Sequence, residues 1–487
     1  LREDLQKMIG VVEAYSRKWR FEENLAKCGV MSVLAKRGPA KSFQSLKFLG
    51  QSIPDVEVYK YLGVMLHSSL SWETHVEYVC KRAKKAVDMY ASTFANRNLP
   101  VKLRLSVYKQ LVRPNFDYAS GIWSTDSKQE SRLEAVQLGV LRQILQCNSK
   151  TNNTIVRASL GVVPLCLRRA RFVVSWYTKL LSAKPESLLR DVPRQDEWGE
   201  CRIRGRHQMT WYELLEVSAE KLGTSAEKIK DSYLLETVEK KLSRPSELLL
   251  NAEHSYSPVE VVPLRDCGFV QAWSERLKGL HLEAHEKTYL NSCHDAGRRS
   301  KAALFFLTQP EARLNKSMEG PLRGAKLINF RLRTGTHALR SDQYHRDGCS
   351  KECPCCGTAL DEDVAHFLLH CRKFNHCRSE WMAALRDTEW GKMHWNEMYV
   401  LQDELGKCAT LLGYPPNGVY SGGVGGRFPE TLSNMHLSTM YEARSQILEK
   451  ASLRERALED LAKKESAKRK QKASRSRNAA AASAAVE

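Results

Sequence analysis

Apolar positions recur at helical spacing along much of the chain, and shorter stretches depart from that pattern. Near the start they stand three or four residues apart, which predicts an amphipathic helix over residues 1–18. Short strands are predicted at 19–21 and 29–33, on either side of a turn. Residues 58–66 are rich in β-branched and aromatic side chains and predict a β-hairpin, with Gly63 where a neighbouring backbone approaches closely.

From residue 75 the helical spacing returns, and it continues to residue 185. The first part of this stretch is strongly basic, because nine Lys or Arg residues between Lys81 and Arg113 face one acid, a net charge of +8. Pro100 divides that part into two helices, and Pro114 ends the second. The pattern as a whole predicts a mainly α protein with a small β-hairpin.

Clustered basic side chains on helices suit contacts with phosphates, which position a nucleic acid without reading its sequence. An ordinary solvated helix face is the alternative interpretation. The side chains expected to contact nucleic acid are Lys81, Arg82, Lys84, Lys85, Lys102 and Arg104.

Composition extends this picture to the whole chain. A hydrophobic content of 42% can form real cores, and the net charge is +20 with a pI near 9.3. Such a charge favours a polyanionic partner, commonly nucleic acid, although a membrane surface or no special partner is also compatible with it. The sequence shows no secretory signal and no apolar run of membrane-spanning length, so a reducing compartment and no membrane partner are expected.

One segment carries a metal-binding pattern. Cys353, Cys356, His366 and Cys371 follow the spacing C-x2-C-x9-H-x4-C, which supplies three thiolates and an imidazole for a tetrahedral Zn2+. Gly357 allows the tight turn that aims the first two sulfurs at one point. A regular helix would not align His366 with Cys371, so Cys371 is expected where the helix ends.

Alternatives to this ligand set stand nearby, and a set of reduced cysteines without metal is the simplest. His370 follows His366 by four residues on the same helical face. The side chains able to replace one of the four ligands are Cys349, Cys355, His370 and Cys377. Acidic residues at 361–363 are expected to begin the helix, and apolar residues at 367–369 to pack beneath the metal.

Beyond the metal-binding pattern the chain becomes polar. Residues 413–429 are rich in Gly and Pro and predict a flexible linker. A long polar helix is predicted from Glu430, and it runs into residues 463–477, where eight basic residues face one acid. The sequence allows three interpretations of this basic run, which are nucleic-acid binding, a nuclear localisation signal and a solvated tail without a partner.

Several short motifs occur in a specific order. They are Trp19-Arg20-Phe21 with Asn24 and Lys27, Tyr59-Lys60-Tyr61-Leu62-Gly63-Val64, Leu70-Ser71-Trp72, Arg113-Pro114 with Tyr118 and Trp123, Leu160-Gly161, and Arg331-Leu332-Arg333-Thr334-Gly335 before the Cys/His pattern. Together they resemble the C-terminal half of reverse transcriptases from non-LTR (LINE-type) retrotransposons. The resemblance covers residues 1–180 and 325–385.

The resemblance implies a mainly α fold with a small β-hairpin, made of the end of a polymerase palm, a helical thumb, a helical connector and a small zinc knuckle. The implied segments are 1–80 for the end of the palm with its primer-grip hairpin, 81–185 for the thumb, 186–325 for a connector of unknown role, 326–385 for the CCHC zinc knuckle, and 386–487 for a linker, a long helix and a basic disordered tail.

The resemblance also implies roles and partners. Lys27 would lie near incoming phosphates, and residues Tyr61, Leu62 and Gly63 would hold the end of the primer. An exposed lysine and an ordinary hairpin core are the alternatives. The partners would be RNA and DNA, as template–primer, element RNA and target DNA, which the knuckle helps to bind. The implied location is the nucleus, and also the cytoplasm as a ribonucleoprotein.

Polymerases of this family hold Mg2+ at two carboxylate sites, one of them in a Tyr/Phe-x-Asp-Asp turn. Neither residues 113–118 nor residues 361–363 match that turn, so both sites are expected before Leu1. The implied protein is a fragment of an RNA-directed DNA polymerase, a nucleotidyltransferase, that is inactive alone. Its Zn2+ would be structural, and Mg2+ would serve only the intact parent.

Two other functions compete with this interpretation. One is a decayed or domesticated, zinc-dependent nucleic-acid-binding protein without polymerase activity. The other is a zinc-dependent adaptor whose basic helix face contacts acidic protein. Nucleic-acid binding that weakens steeply with salt would separate the first from the second.

Overall fold

Helices dominate the part of the chain that the structure describes. The computed structural model describes residues 2–22, 24–33, 46–149, 151–183, 187, 202–203, 206–207, 209–242, 268–296, 304–305, 320–321, 323–337, 339–347, 349–400, 402–412 and 429–453. The expectation of a mainly α protein with a small β-hairpin is confirmed. The linker at 413–428 and the basic run at 463–477 lie outside the described residues.

The chain divides into two compact units. The first holds Leu1–Ser149, Val156–Asp295 and Glu311–Pro321, and the second holds Lys150–Ile155, Ala296–Pro310 and Leu322–Glu487. Among the described residues, no helix combines the length and the apolarity needed to cross a bilayer.

The first unit begins with a helix and a small two-stranded sheet. The elements are α1 (Arg2–Trp19), a 3-10 turn (Leu25–Lys27), β1 (Lys47–Phe48) and β2 (Gln51–Ser52). The predicted helix at 1–18 is confirmed. The predicted strands at 19–21 and 29–33 are wrong, because Trp19 ends α1 and, within 29–33, only Val30 pairs, through an isolated bridge to Asp55.

The hairpin predicted at 58–66 is present. Its strands are β3 (Val58–Tyr61) and β4 (Val64–His67), paired antiparallel. Leu62 and Gly63 form the turn with φ angles of 46° and 84°, the positive values that a type I′ turn needs. A Cβ at Gly63 would lie 3.2 Å from the ring of Tyr118. The close neighbour of this glycine is therefore a side chain, not the expected backbone.

The basic stretch after the hairpin folds into several helices. They are α2 (Glu73–Met89), α3 (Ala91–Ala95), α4 (Val101–Val107), a π-helical turn (Tyr108–Val112) and α5 (Pro114–Asp117). Pro100 does precede a new helix. Pro114 begins α5 and does not end a helix. Proline is tolerated there because the N–H groups of the first helical turn have no carbonyl partner within the helix.

Three further helices confirm the helical pattern predicted up to residue 185. They are α6 (Ser127–Leu145), α7 (Asn153–Leu160) and α8 (Leu165–Leu181). Asp126 and Gln129 form a reciprocal capping box that begins α6. Leu141, Ile144 and Val174 are fully buried, and burying each such side chain stabilises the fold by about 1.5–3 kcal/mol.

Most of the described part of the predicted connector belongs to the same unit, whereas Ala296, Leu304, Phe305 and residues 323–325 belong to the second. The elements of the connector are β5 (Arg202–Ile203), β6 (Arg206–His207), α9 (Trp211–Lys221), α10 (Ala226–Leu242) and α11 (Gly268–Ala296). Leu215, Phe269 and Trp273 share a buried core with Val173 and Val174 of α8. Helices α9 and α11 thus extend the core of the first unit.

The second unit is built around a different core. Its elements are α12 (Ala325–Arg333), α13 (Arg340–Asp347), a π-helical turn (His366–His370), a 3-10 turn (Arg372–Phe374), α14 (Asn375–Asp387), α15 (Glu389–Trp395), a second π-helical turn (Asn396–Val400), α16 (Glu404–Leu411) and α17 (residues 430–453). Leu437 and Met440 of α17 are fully buried with Phe367 and Trp381. The core beneath the predicted knuckle is therefore larger than expected, and α17 is not polar throughout.

Candidate metal centre and nucleic-acid surface

Four side chains of the second unit converge on one point. The Sγ atoms of Cys353, Cys356 and Cys371 and a ring nitrogen of His366 all lie within 4.8 Å of one another. Cys353 Sγ is 3.8 Å from Cys371 Sγ, and Cys356 Sγ is 3.4 Å from His366 Nε2. Around tetrahedral Zn2+ with its usual bond lengths, two sulfurs lie about 3.8 Å apart and a sulfur and a nitrogen about 3.6 Å apart. The donor set and its spacing therefore fit zinc.

Local backbone features aim these four side chains. The chain turns at Gly357, whose φ is 67°. The Asp363 carboxylate accepts a hydrogen bond of 2.7 Å from the His366 N–H and so begins the helical turn. The Cys371 N–H donates to the His366 carbonyl at 2.7 Å, closing a π-helical turn. In a regular helix the two side chains would point about 140° apart, and the wider turn reduces that angle.

The protonation of the thiols reflects this crowding. Burial raises the pKa of Cys371 to about 12, and it also raises the pKa of Cys353. Burial opposes ionisation of Cys356 too, but hydrogen bonds with Thr358, Cys353 and His366 outweigh it and lower the pKa of Cys356 to about 6. Three neighbouring sulfurs cannot all become thiolates without a cation between them, and a bound Zn2+ would supply that charge.

The structure also locates the alternative ligands. His370 Nε2 lies 2.6 Å from a carboxylate oxygen of Glu404 and is half-exposed. Cys355 joins Cys353 and Glu362 in a second group of ligand atoms, which shares one sulfur with the first. Neither group includes Cys349 or Cys377, although both are described.

A buried ion pair adjoins the metal centre. The guanidinium of Arg444 donates through Nε and Nη2 to the two oxygens of Glu362, both at 2.7 Å. The side chains of Arg444 and Glu362 are only 3% and 1% exposed. The Arg340 backbone N–H donates to the same carboxylate at 2.9 Å. Sequence reasoning placed Glu362 at a helix start and missed this pair, because its partner stands 82 residues further along the chain.

The tip of the hairpin in the first unit is exposed but held in place. Tyr61 and Leu62 are 58% and 73% exposed. The Tyr118 hydroxyl donates a hydrogen bond of 2.6 Å to the Leu62 carbonyl. His75 supports the base of the hairpin, because its Nδ1 accepts a hydrogen bond of 3.2 Å from the Met65 N–H.

Positive charge flanks this hairpin. Lys60 Nζ lies 5.1 Å and the Arg82 guanidinium 5.7 Å from the ring centre of Tyr78. Hydrogen bonding with Lys60 and the charge of Arg82 lower the pKa of Tyr78. Lys84 and Lys85 are exposed on the same helix, α2, and Lys81 is exposed beside Glu77, at 2.8 Å.

The remaining predicted contacts differ in exposure. Lys27 and Lys102 are exposed, and the Lys27 carbonyl accepts a hydrogen bond of 2.6 Å from the Tyr59 hydroxyl. Arg104 is fully buried, and its Nη1 donates to the Phe94 carbonyl at 3.1 Å. A phosphate cannot reach a side chain in this position, so the prediction for Arg104 does not fit the structure.

Sequence reasoning did not single out a second basic group, although Arg113 belongs to the basic stretch predicted at 81–113. Arg168 holds Asp117 through two contacts of 2.6 and 2.7 Å, and Arg113 Nε lies 3.6 Å from the same carboxylate. The signal for this group was present as three arginines, at 168, 169 and 171, within a helical apolar pattern.

Three known proteins are similar in sequence to this chain. Over 149 residues the chain is 28% identical to the probable RNA-directed DNA polymerase from transposon X-element of Drosophila melanogaster, a match over 30% of this chain and 16% of that protein. It is 22% identical over 190 residues to the RNA-directed DNA polymerase from mobile element jockey of the same species, covering 39% of this chain and 20% of that protein. The chain is a relative of transposon RNA-directed DNA polymerases.

The jockey polymerase of Drosophila funebris gives a similar result, with 23% identity over 188 residues, or 38% of this chain and 20% of that protein. These matches span between 16% and 20% of the length of the polymerases. No protein-family model and no solved structure matches the chain. The resemblance to non-LTR reverse transcriptases is thus confirmed by curated relatives.

Proposed function

We propose that this chain is the C-terminal part of a non-LTR retrotransposon RNA-directed DNA polymerase and that it binds the RNA–DNA template–primer. Lys27, the hairpin tip and the basic face of α2 contact the nucleic acid. The zinc centre orders a module that contacts element RNA or target DNA. The similarity to transposon polymerases supports the family, and one structural observation supports the binding role.

That observation is the hairpin tip. Tyr61 and Leu62 expose large apolar surfaces while Tyr118 holds their turn in one conformation. Apolar side chains displayed in this way do not serve a core and are available to a partner. Lys60 and Arg82 add positive charge beside them. Together they suit a nucleic-acid end, whose bases stack on aromatic rings and whose phosphates need cations.

The chemistry of polymerisation lies elsewhere in this proposal. No Asp-Asp pair occurs in residues 1–487. We propose that the carboxylates that hold Mg2+ belong to the intact parent polymerase, and that this chain alone binds nucleic acid without catalysing. Residues 463–477 supply the basic run for a nuclear location.

The binding role is tested with the full chain and a fluorescent RNA–DNA hybrid, by anisotropy at a series of KCl concentrations. We expect affinity to fall steeply with salt. Tyr61→Ala should weaken binding about tenfold, the worth of one stacked base. Leu282→Ala, which changes a side chain 62% exposed on α11, is the matched control and should bind normally. Binding that is insensitive to salt would instead favour the protein adaptor.

The zinc centre is tested by metal analysis of the purified chain, with RNA binding followed on the same samples. The intact chain should carry one zinc, and a Cys353→Ser/Cys371→Ser double variant should carry none and bind RNA more weakly. Cys377→Ser changes a half-buried cysteine outside the ligand group and should keep both properties. An intact chain without zinc would remove the metal from the proposal.

A further inference from the structure

We propose that Lys109, Arg113, Arg168 and Arg171 form a phosphate-binding subsite, which takes the phosphodiester backbone of a nucleic acid. The subsite rests on the proposed function and names a part of the surface that carries it. Lys109 and Arg113 belong to the basic stretch predicted at 81–113 but were not singled out as contacts, and Arg168 and Arg171 lie outside that stretch.

The geometry centres on one carboxylate. Arg168, on α8, binds both oxygens of Asp117, at 2.6 and 2.7 Å. Arg113, at the end of the preceding π-helical turn, approaches the same group, with its Nε 3.6 Å from Oδ2. The side chains of Arg168 and Arg113 are 19% and 27% exposed, so both still reach solvent. Asp117 thus fixes two guanidinium groups at the surface.

The charges at this place do not balance. Lys109 stands four residues before Arg113, and Arg171 stands three residues after Arg168 on the same helix, which brings both towards the pair around Asp117. Within the described part of the chain, neither Lys109 nor Arg171 is in an ion pair. The charges of Arg113 and Arg168 reach Lys109, and those of Arg168 and Glu275 reach Arg171. The four cations therefore outnumber the two acids Asp117 and Glu275 at this place.

The half-buried setting makes this excess unfavourable without an anion. Burial lowers the pKa of Lys109, and the charges of Arg113 and Arg168 lower it further. Burial and Arg168 likewise lower the pKa of Arg171, while Glu275 opposes them, although that acid is itself paired with Lys278. Arg113 Nε is buried without a hydrogen bond. A bound phosphate would offset the repulsion among these cations, so their clustering suits a phosphate-binding site.

The subsite continues the surface of the hairpin tip. Tyr118 follows Asp117 directly and donates its hydroxyl hydrogen to the Leu62 carbonyl at 2.6 Å. On the other side, the Arg168 guanidinium lies 5.2 Å from the ring centre of Phe172. A strand whose end lies at the hairpin tip can therefore continue towards these cations, and Phe172 packs against the guanidinium of Arg168.

A purely structural role makes a different prediction, and stability separates the two. If the four cations only held the fold, removing any of them would destabilise it. In a phosphate site, Lys109 and Arg171 repel their neighbours in the free protein. Their neutralisation should therefore leave the melting temperature unchanged or raise it, while nucleic-acid binding weakens.

The experiment uses a Lys109→Gln/Arg171→Gln double variant of the full chain and a fluorescent RNA–DNA hybrid at a series of KCl concentrations. We expect affinity to fall about tenfold and the slope of log affinity against log salt to shrink by about 1.8, the value for two lost phosphate contacts. Lys228→Gln/Lys230→Gln removes the same charge from exposed positions on α10 and should change neither quantity as much. A Lys109→Arg/Arg171→Lys variant, which keeps the charge, should restore both.

The outcomes separate the subsite from the proposed function. If the double variant binds with the affinity and salt slope of the intact chain, the subsite is wrong and the proposed function stands. A fall in melting temperature, not restored by the charge-conserving variant, would assign the cluster to the fold and also overturn the subsite. An intact chain that does not bind the hybrid at all would overturn the proposed function and the subsite with it.

Discussion

The metal centre of the second unit and the helical core of the first are held together by different chemistry. Around the metal centre, thiols, an imidazole and the buried Glu362–Arg444 pair take positions that hydrocarbon would otherwise fill. Between α2, α6 and α8 the buried side chains are mostly apolar. In a polar interior, losing one member of a buried pair greatly lowers the free energy of unfolding, because the other member stays buried without its partner. In an apolar interior, the loss of stability grows with the volume removed.

Buried arginines show the same contrast within the first unit. Arg169 donates hydrogen bonds to Glu130 at 2.6 Å, to Thr125 at 2.6 Å and to the Trp123 carbonyl at 2.9 Å, and only its Nε is buried without one. Arg104 makes one hydrogen bond, to Phe94, and two of its nitrogens are buried without a partner. The buried charge of Arg169 is therefore better compensated than that of Arg104. Variants of the two residues can measure the difference in their contribution to stability.

Removal of the metal should give the largest difference in stability between the two units. A chelator added to the full chain should unfold the second unit, because structural zinc contributes about 10–16 kcal/mol of binding free energy in small modules. Hydrogen exchange should become fast in peptides from α12 to α16, while α6 and α8 keep their protection. Unchanged exchange around Cys371 would show that the polar core holds without metal.

Loss of one partner of the buried ion pair should come next. Glu362→Gln removes the carboxylate that neutralises the buried Arg444 charge, which should destabilise the second unit by about 3–5 kcal/mol. Urea unfolding followed by hydrogen exchange measures this loss. Glu404→Gln is the control, because it breaks a pair with His370 whose side chains are 65% and 48% exposed. That loss should stay below about 1 kcal/mol, and equal losses would contradict the contrast.

Acid should weaken the first unit through its buried imidazoles. Burial, helped by the charge of Arg169, lowers the pKa of His75 to about 4. Above pH 6.5 the imidazole is neutral in both states, but as the pH falls towards 4 only the unfolded chain takes up the proton. Stability should therefore fall by on the order of 3 kcal/mol over that range.

Hydrogen exchange in α2 peptides at pH 7 and pH 4.5 checks this loss. His75→Gln keeps a neutral hydrogen-bond acceptor for the Met65 N–H but does not titrate, so its loss over the same range should be smaller. His281, whose pKa is also lowered to about 4, mainly by burial, remains in the variant and sets the residual loss. A variant with the full pH dependence would exclude His75 as its source.

The smallest expected effect is an increase in stability. Arg104→Met removes a buried charge that has no acidic partner among the described residues and keeps the volume of the chain. It should raise the free energy of unfolding of the first unit by about 1 kcal/mol. Arg169→Met should lower it, because Glu130 then loses its partner. Calorimetry of the two variants gives the comparison, and losses of similar size in both would contradict it.

The same contrast explains what could be predicted from sequence. The four residues of the metal centre are close in the chain, so their spacing pointed to them as ligands but left Cys349, Cys355, His370 and Cys377 as alternatives, and the structure groups the four. The hairpin was equally local. The positive charge of α2 to α5 was visible, but a count of charges does not say which side chain turns inward, and Arg104 was misplaced for that reason. Asp117 with Arg168, and Glu362 with Arg444, are brought together by packing over long separations, which no local pattern encodes.

The Glu362–Arg444 pair also has a consequence for the time at which the second unit can form. On the ribosome Glu362 is made 82 residues before its partner. At ordinary rates of synthesis that is a delay of about 4–16 seconds. Throughout this interval the cysteines can already capture a metal ion, but the carboxylate beside them has no guanidinium to accompany it into the interior. The core around Glu362 therefore cannot close until α17 leaves the exit tunnel. Completion of the second unit is then a late step in the synthesis of the chain.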